Sequence, residues 1–330
     1  MDQGTAGGSF APIDTGIALT DISCRVGSIQ LASPVMPASG TAGHGAELGA
    51  FGDLGTLGAV VVKSLLPRPW EGNPPVRVHQ TPAGMINSVG LQGPGIDAWR
   101  RDHLPDLIKA GAAIVVSIWG RSVDEYEEAA TMVASLPPEV IAVEVNISCP
   151  NTEKGNELFA HSVDATASVI AATAATGRPR WAKLSPNAGG LLTAVAGAAL
   201  KAGAEAVTVA NTYFGLSVDP ITRRPRLGNG AGGVSGAAIH PLAVRAVAEV
   251  HAAHPTAPIV AAGGVTGVDD VIEFALVGAS AVQVGTANFA DPRVCFRLTR
   301  GTQEWCAKQG VERFADLIGT ADLSPVERRK

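Results

Sequence analysis

The chain has 330 residues, 46% apolar and only 5% aromatic, with 39 glycines, 22 prolines and a net charge of −5. Without a basic block that balance excludes a nucleic-acid surface, and no apolar run reaches the roughly 18 residues of a membrane span, the stretch 191–200 being too short. The four cysteines, at 24, 149, 295 and 306, form no Cys-x-x-Cys, so a zinc or iron–sulfur site held by this chain alone is not expected.

Residues 1 to about 15 are small and polar without periodicity, which predicts a loose tail. There is no basic segment followed by an apolar one, hence no sign of secretion, and sparse unpaired thiols suit a cytoplasmic protein. Short β-rich runs then alternate with alanine-rich helical stretches. The predicted strands are 35–38, 59–63, 113–118, 141–147, 180–184, 206–210, 259–262 and 281–284. Helical patterns fall between them, clearest at 123–136, 163–176, 190–202, 241–253 and 268–277. Eight strands with helical crossovers predict an α/β fold, a (β/α)8 TIM barrel, forming one domain over residues 1–330.

Two connections are unusually long, 64–97 and 211–236, and both are rich in Pro, Gly, Asn and Arg. Each follows a predicted strand, so both should rise over the C-terminal mouth, where barrels carry their chemistry. Lys63, Asn146, Lys183 and Asn211 close the second, fourth, fifth and sixth strands. Singly, a lysine there is most simply structural. Together these residues predict a mouth rich in cationic and amide donors, suited to an anionic ligand with imide edges.

The segment Asn146-Ile147-Ser148-Cys149-Pro150-Asn151 sets a cysteine between two carboxamides just past the fourth strand, and Pro150 has no N–H to extend a ladder. A cysteine so placed is either a small buried hydrophobe or a reactive thiol. Gly263-Gly264 and Gly285-Thr286 end the last two strands, and Gly232-Gly233-Val234-Ser235-Gly236 precedes a predicted helix. Such glycines can be mere tight turns, but three sets on one face point to a phosphate cradle. A phosphate near two lysines leaves open a phosphorylated cofactor or a sugar phosphate. The latter would suit a lyase or isomerase using Lys183 as a Schiff-base amine.

Ordered motifs narrow the choice. Pro34-Val35-Met36-Pro37-Ala38-Ser39-Gly40, Gly72-Asn73-Pro74-Pro75-Val76-Arg77 and Gly84-Met85-Ile86-Asn87-Ser88-Val89-Gly90-Leu91-Gln92 come first. The cysteine segment, Lys183-Leu184-Ser185-Pro186-Asn187 and Gly278-Ala279-Ser280-Ala281-Val282-Gln283-Val284-Gly285-Thr286 follow. From about Val26 to Phe289 the chain resembles the class 1 dihydroorotate dehydrogenases, closest to the catalytic subunit of the NAD-linked type.

The resemblance implies FMN across the barrel mouth, its phosphate on Gly263, Gly264, Gly285 and Thr286 with Gly236 close by. Ala38, Ser39, Gly40 and Ser64 would contact the flavin ring or ribityl chain, with Asn146 also at the cofactor. Lys183 would stand near the N1–C2 edge, and Lys63 beside both flavin and substrate carboxylate. Dihydroorotate would meet Asn87, Gly90, Leu91, Asn146, Asn151, Asn211 and Thr212. Cys149 is implied as the base that takes a proton from C5 while a hydride leaves C6 for flavin N5.

The family also implies either a homodimer that passes electrons to an acceptor such as fumarate, or a partner subunit carrying FAD and a [2Fe–2S] cluster. A dihydropyrimidine dehydrogenase-like enzyme is the alternative within the flavin class; Asn151 and Lys63 favour dihydroorotate. Four positions depart from the family's usual residues: Ala42 and His44 where an aromatic is common, Gly93 where asparagine is common, and a bulky Trp119. His44, His79 and His161 are expected to be solvated loop residues.

Overall fold

A computed structural model describes residues 20–148, 150–151 and 157–324; the expected tail at 1–15 and Cys149 lie outside the described residues. In chain order the strands begin with β1 (Cys24–Val26), β2 (Ile29–Leu31), β3 (Val35–Pro37), β4 (Val60–Val61), β5 (Val78–Thr81) and β6 (Gly84–Asn87). Next come β7 (Ile114–Ile118), β8 (Val140–Asn146), β9 (Pro150–Asn151), β10 (Glu157–Leu158) and β11 (Arg180–Lys183). The last are β12 (Ala206–Val209), β13 (Tyr213–Gly215), β14 (Gly232–Ser235), β15 (Ile259–Ala262) and β16 (Ala281–Val284). The α-helices are α1 (Ile96–Asp102), α2 (Leu104–Lys109), α3 (Val123–Ala134), α4 (Val163–Ala172), α5 (Leu192–Lys201), α6 (His240–Ala253), α7 (Val268–Leu276), α8 (Ala287–Ala290) and α9 (Val294–Gln309).

Eight parallel strands form a nearly closed barrel in the order β3-β16-β15-β12-β11-β8-β7-β4. At the seam between β3 and β4, the N–H of Gly58 donates to the Val35 carbonyl at 2.9 Å. A Cβ on Gly58 would lie 2.3 Å from the Ser33 carbonyl oxygen, so glycine is what lets the two ends of the sheet approach. Parallel strands are covered on both faces and therefore read as continuous apolar runs. All five residues of β7 are buried, as are β12, β15 and β16 throughout. Each fully buried valine or isoleucine contributes about 1.5–3 kcal/mol to this core.

The helices start where the sequence supplies caps. Ser122 accepts from the N–H of Glu125 at α3, and Ser162 from that of Ala165 at α4. At the opposite end of the barrel from the mouth, β1 and β2 form a hairpin that turns at Gly27. There the N–H of Ser28 donates to Glu205, which immediately precedes β12.

All eight predicted barrel strands are present within a residue or two of their expected bounds. The two long connections are not simple loops. They contribute β5, β6, β13 and β14, which pair into an antiparallel sheet of order β13-β14-β6-β5 above the mouth. The predicted helix at 163–176 is α4 followed by a 3₁₀ turn, Thr173–Thr176. Helices α1, α2, α8 and α9 are not among the clearest predicted helical patterns. In α9 the apolar stripe of Val294, Cys295, Leu298 and Cys306 is interleaved with exposed charge, which masks its period.

Candidate active site

The strand ends and the covering sheet enclose a cavity of about 650 Å³. Its floor holds a buried polar cluster. Lys183 Nζ lies 3.4 Å from Glu144 Oε1, and donates to Gln283 Oε1 at 3.1 Å and to Ser39 Oγ at 3.2 Å. Gln283 Nε2 and Thr208 Oγ1 donate to Glu144 Oε2 at 2.5 and 3.1 Å. Side-chain exposure is 5% for Lys183 and 0% for Glu144, so each charge depends on the other for compensation. Glu144 and Gln283 were not among the expected site residues. Their signal was a polar residue interrupting a strand whose neighbours are all apolar, at positions facing the barrel axis.

One wall is built from amides. Asn146 at the end of β8 donates through Nδ2 to Ser64 Oγ at 3.3 Å, and its Oδ1 accepts from Asn211 Nδ2 at 3.4 Å and from the Ser148 N–H at 3.2 Å. Ser64 Oγ is 2.8 Å from Ser117 Oγ, and the Tyr126 hydroxyl donates to the Asn146 carbonyl at 2.6 Å. Asn187, inside one of the recognised motifs but given no role there, accepts from the N–H of Phe214 and donates to the Thr212 carbonyl. It thereby fixes the turn that carries Asn211 and Thr212. Asn87, Gly90 and Leu91 line the wall from the covering sheet. Leu91 has φ +58°, a left-handed conformation that costs a non-glycine residue energy and is met at functional sites.

Lys63 also lines the cavity. Burial first, and the charge of Arg77 second, hold its pKa below the usual lysine value. An anionic group beside it would favour the charged form.

At the far wall, Gly236, Gly263, Gly264, Gly285 and Thr286 converge. Gly264 has φ +71°, and a Cβ there would fall 2.7 Å from His240 N and Cβ. A Cβ on Gly236, at φ +102°, would lie 2.4 Å from the Gly84 Cα. Ser235 Oγ accepts from Thr286 Oγ1 at 2.8 Å. Bare backbone and hydroxyls packed this closely form a glycine-rich cradle of the kind that can accept an anion. Among the described residues, the buried hydroxyls of Ser88 and Ser148 line the same cavity without a protein partner, as expected of a site shaped for a polar ligand.

Thus Ala38, Ser39, Gly40, Lys63, Ser64, Asn146 and Lys183 gather with the amides and the glycine cradle around one space. Two expected residues are not placed there. Cys149 is outside the described residues, and Asn151 is described only through its backbone, paired with Glu157. Cys24, Cys295 and Cys306 are buried. Burial pushes the Cys24 thiol up to about 12 and also raises that of Cys306; for Cys295, also at about 12, burial outweighs the bond to Asn288.

The departing positions are neighbours. A Cβ on Gly93 would lie 3.7 Å from His44 Cε1, and Gly93 pairs with Trp70 through two backbone hydrogen bonds. Trp70 meets Trp119 edge-on at 6.0 Å and carries the Arg121 guanidinium 4.8 Å from its ring centre. His44, expected to be solvated, is half-buried, with its ring 5.6 Å from His103. Burial lowers its pKa to about 4, aided by Lys63 and His103 and opposed by Glu47.

Comparison with known proteins decides among the expectations. The dihydroorotate dehydrogenase family profile matches residues 22–305. The chain belongs to the dihydroorotate dehydrogenase family. Among its relatives, the catalytic subunit of dihydroorotate dehydrogenase B (NAD(+)) from Geotalea daltonii is 42% identical, over 93% of this chain and all of that protein. The subunit of the same name from Trichlorobacter lovleyi is 42% identical over 91% of this chain and 98% of its own length. A crystal structure of DHODH from Eimeria tenella, in complex with ferulenol, superposes with a TM-score of 0.74 at 21% identity. It covers 94% of this chain and 91% of its own, and shows the shared fold. The motifs of this dihydroorotate dehydrogenase family member therefore lie on the barrel that carries the family.

Proposed function

We propose that the chain is one FMN-binding barrel domain that oxidises (S)-dihydroorotate to orotate in pyrimidine biosynthesis. The observation that carries this reading is a single 650 Å³ cavity with a glycine cradle at one wall and an amide wall beside Lys63 at the other. That polarity suits a flavin phosphate at the first and a carboxylated pyrimidine at the second.

The residues present fit FMN. Gly263, Gly264, Gly285 and Thr286 would hold the phosphate with Gly236 beside them; Ala38, Ser39, Gly40 and Ser64 would line the ring and ribityl chain. When bound, FMN supplies the acceptor for the hydride that leaves C6 of the substrate. Lys183 is held by Glu144, Gln283 and Ser39 as an ammonium aimed at the cavity, where it would stabilise negative charge. The same clamp argues against a Schiff-base lyase, because an ion-paired ammonium has no lone pair to offer.

Lys63 would take the substrate carboxylate, and Asn87, Asn146, Asn151, Asn211 and Thr212, with Gly90 and Leu91, would fix the imide edges. Cys149 would accept the C5 proton on its sulfur. An ordinary thiol has a pKa near 8.5, so the site must assist its ionisation at neutral pH.

The purified protein should be yellow and bleach anaerobically on adding dihydroorotate. Cys149→Ser should slow that bleaching by at least about a hundredfold at neutral pH. An unchanged rate would remove the cysteine from its role, and preference for dihydrouracil would favour the dihydropyrimidine dehydrogenase-like alternative. The named relatives are catalytic subunits of an NAD(+)-linked enzyme. By that likeness this chain would pass electrons to a partner subunit, which the family resemblance implies bears FAD and a [2Fe–2S] cluster; the homodimer is the other arrangement the resemblance implies. Affinity purification from the native cell should recover such a flavoprotein. Among the described residues no helix is long and apolar enough to cross a membrane; the sparse unpaired thiols support a place in the cytoplasm.

A further inference from the structure

Trp119 stands just past the end of β7. Its backbone N–H donates to the Leu65 carbonyl at 3.0 Å, and the Leu65 N–H donates to the Ser117 carbonyl at 2.9 Å. These bonds continue the parallel ladder, so Trp119 projects to the same side of the strand as Ser117. The Ser117 hydroxyl meets that of Ser64, which accepts from Asn146. The indole therefore stands one step nearer the mouth than these serines, on the amide wall of the cavity.

Its ring is held from behind by apolar groups. Trp119 is 3% exposed and forms with Leu66 a small cluster apart from the main core, against which Trp70 and Leu91 pack. Trp70 is itself fixed, because its Nε1 donates to the Gly90 carbonyl at 3.0 Å and its backbone pairs with Gly93. The Arg121 guanidinium, ion-paired with Glu125, lies over the Trp70 ring.

Among the described residues the Trp119 Nε1–H is buried without a protein partner. An indole N–H only donates, and unlike a hydroxyl it cannot turn to suit its surroundings. A buried donor left unpaired is costly. With apolar groups on its packed sides, this donor has the cavity in which to find an acceptor.

We propose that Trp119 is a further substrate-binding residue, whose indole N–H donates to a ring carbonyl oxygen of the pyrimidine. The proposal rests on the reading of the amide wall as the pyrimidine's seat. Leu91, which packs against Trp119, belongs to that wall, whereas the glycine cradle lies at the far one. Lys63 is matched to the carboxylate, and the N–H groups of an imide edge need acceptors, so the ring carbonyls are the oxygens left to take this proton donor. A tryptophan here departs from the family's usual smaller residue, and the donor it brings adds to those of the asparagines.

The test uses the flavin-loaded protein isotope-labelled at its five tryptophans, each of which gives an indole N–H signal in a proton–nitrogen correlation spectrum. The Trp119 signal is the one missing from Trp119→Phe, or from Trp119→Tyr if the phenylalanine variant fails to fold. Saturating orotate should move that signal downfield and slow its exchange with solvent. Trp119→Phe keeps an aromatic ring and loses the donor. It should weaken orotate binding about fivefold, followed by the change in flavin absorbance, and raise KM while kcat stays within about twofold.

A Trp119 signal that stays in place while the flavin absorbance reports bound orotate would overturn the proposal. So would a Trp119→Phe variant that binds orotate as tightly as the wild type. Orotate that moves neither the flavin absorbance nor any indole signal would instead overturn the pyrimidine reading itself, and this inference with it.

Discussion

Two clusters of basic and acidic side chains flank the same cavity, and they differ in burial and in how fully they are enclosed. Lys183 and Glu144 sit at the barrel floor, nearly or wholly shielded from water and completed by Gln283, Thr208 and Ser39. His240, Asp270 and Glu273 sit behind the glycine cradle, with Glu273 half-exposed. In the floor cluster neither charge can be removed without stranding the other. In the rim cluster water can replace a lost partner, so the interaction is weak and adjustable. The floor cluster is fixed by its burial, and the rim cluster is open to water and salt.

The largest expected effect tests the floor. Lys183→Met should cost about 3–5 kcal/mol of unfolding free energy by urea titration. A loss below 1 kcal/mol would mean that Glu144 is not relying on Lys183, and the contrast would collapse. Next comes the cradle that the rim supports. Gly264→Ala must place a Cβ 2.7 Å from His240 at a φ of +71°, at a cost of about 1–3 kcal/mol. It should purify largely flavin-free, as absorbance at 450 nm would show.

A smaller effect separates the clusters by salt. Glu273→Gln should change stability by less than about 1 kcal/mol, and 0.5 M NaCl should erase the difference. A further effect is confined to acid. His44 has a folded pKa near 4 against an ordinary 6.5, so between those values the unfolded chain binds a proton that the native one refuses. Stability therefore falls as pH drops from about 6.5 to about 4, and the loss levels off below. His44→Asn should blunt that part of the decline in Tm; a curve superposing on wild type would show that His44 is freely solvated after all.

Much of this was legible in the sequence, because buried parallel strands are written as continuous apolar runs and their ends as abrupt polar residues. Lys63, Asn146, Lys183 and Asn211 could be placed at the mouth for that reason. Glu144 and Gln283 were harder to read. Each is a single polar residue within a strand, and only the closed barrel shows that they meet Lys183 from β8 and β16. His240 was invisible for a related reason: its partners stand on a different helix, 30 and 33 positions away. The covering sheet was hidden in glycine- and proline-rich segments whose pairing is long-range. In α9, the charged face obscured the buried stripe.

The burial of Cys24, Cys295 and Cys306 has a practical consequence. Their thiols are both out of reach and reluctant to ionise, and of four cysteines in the chain that leaves position 149 as the candidate for rapid alkylation. Brief treatment of the native protein with iodoacetamide near pH 7 should therefore attach at most one label per chain. Its rate against pH would titrate a single sulfur directly, and loss of that label when orotate is present would mark the pyrimidine's seat without any measurement of turnover.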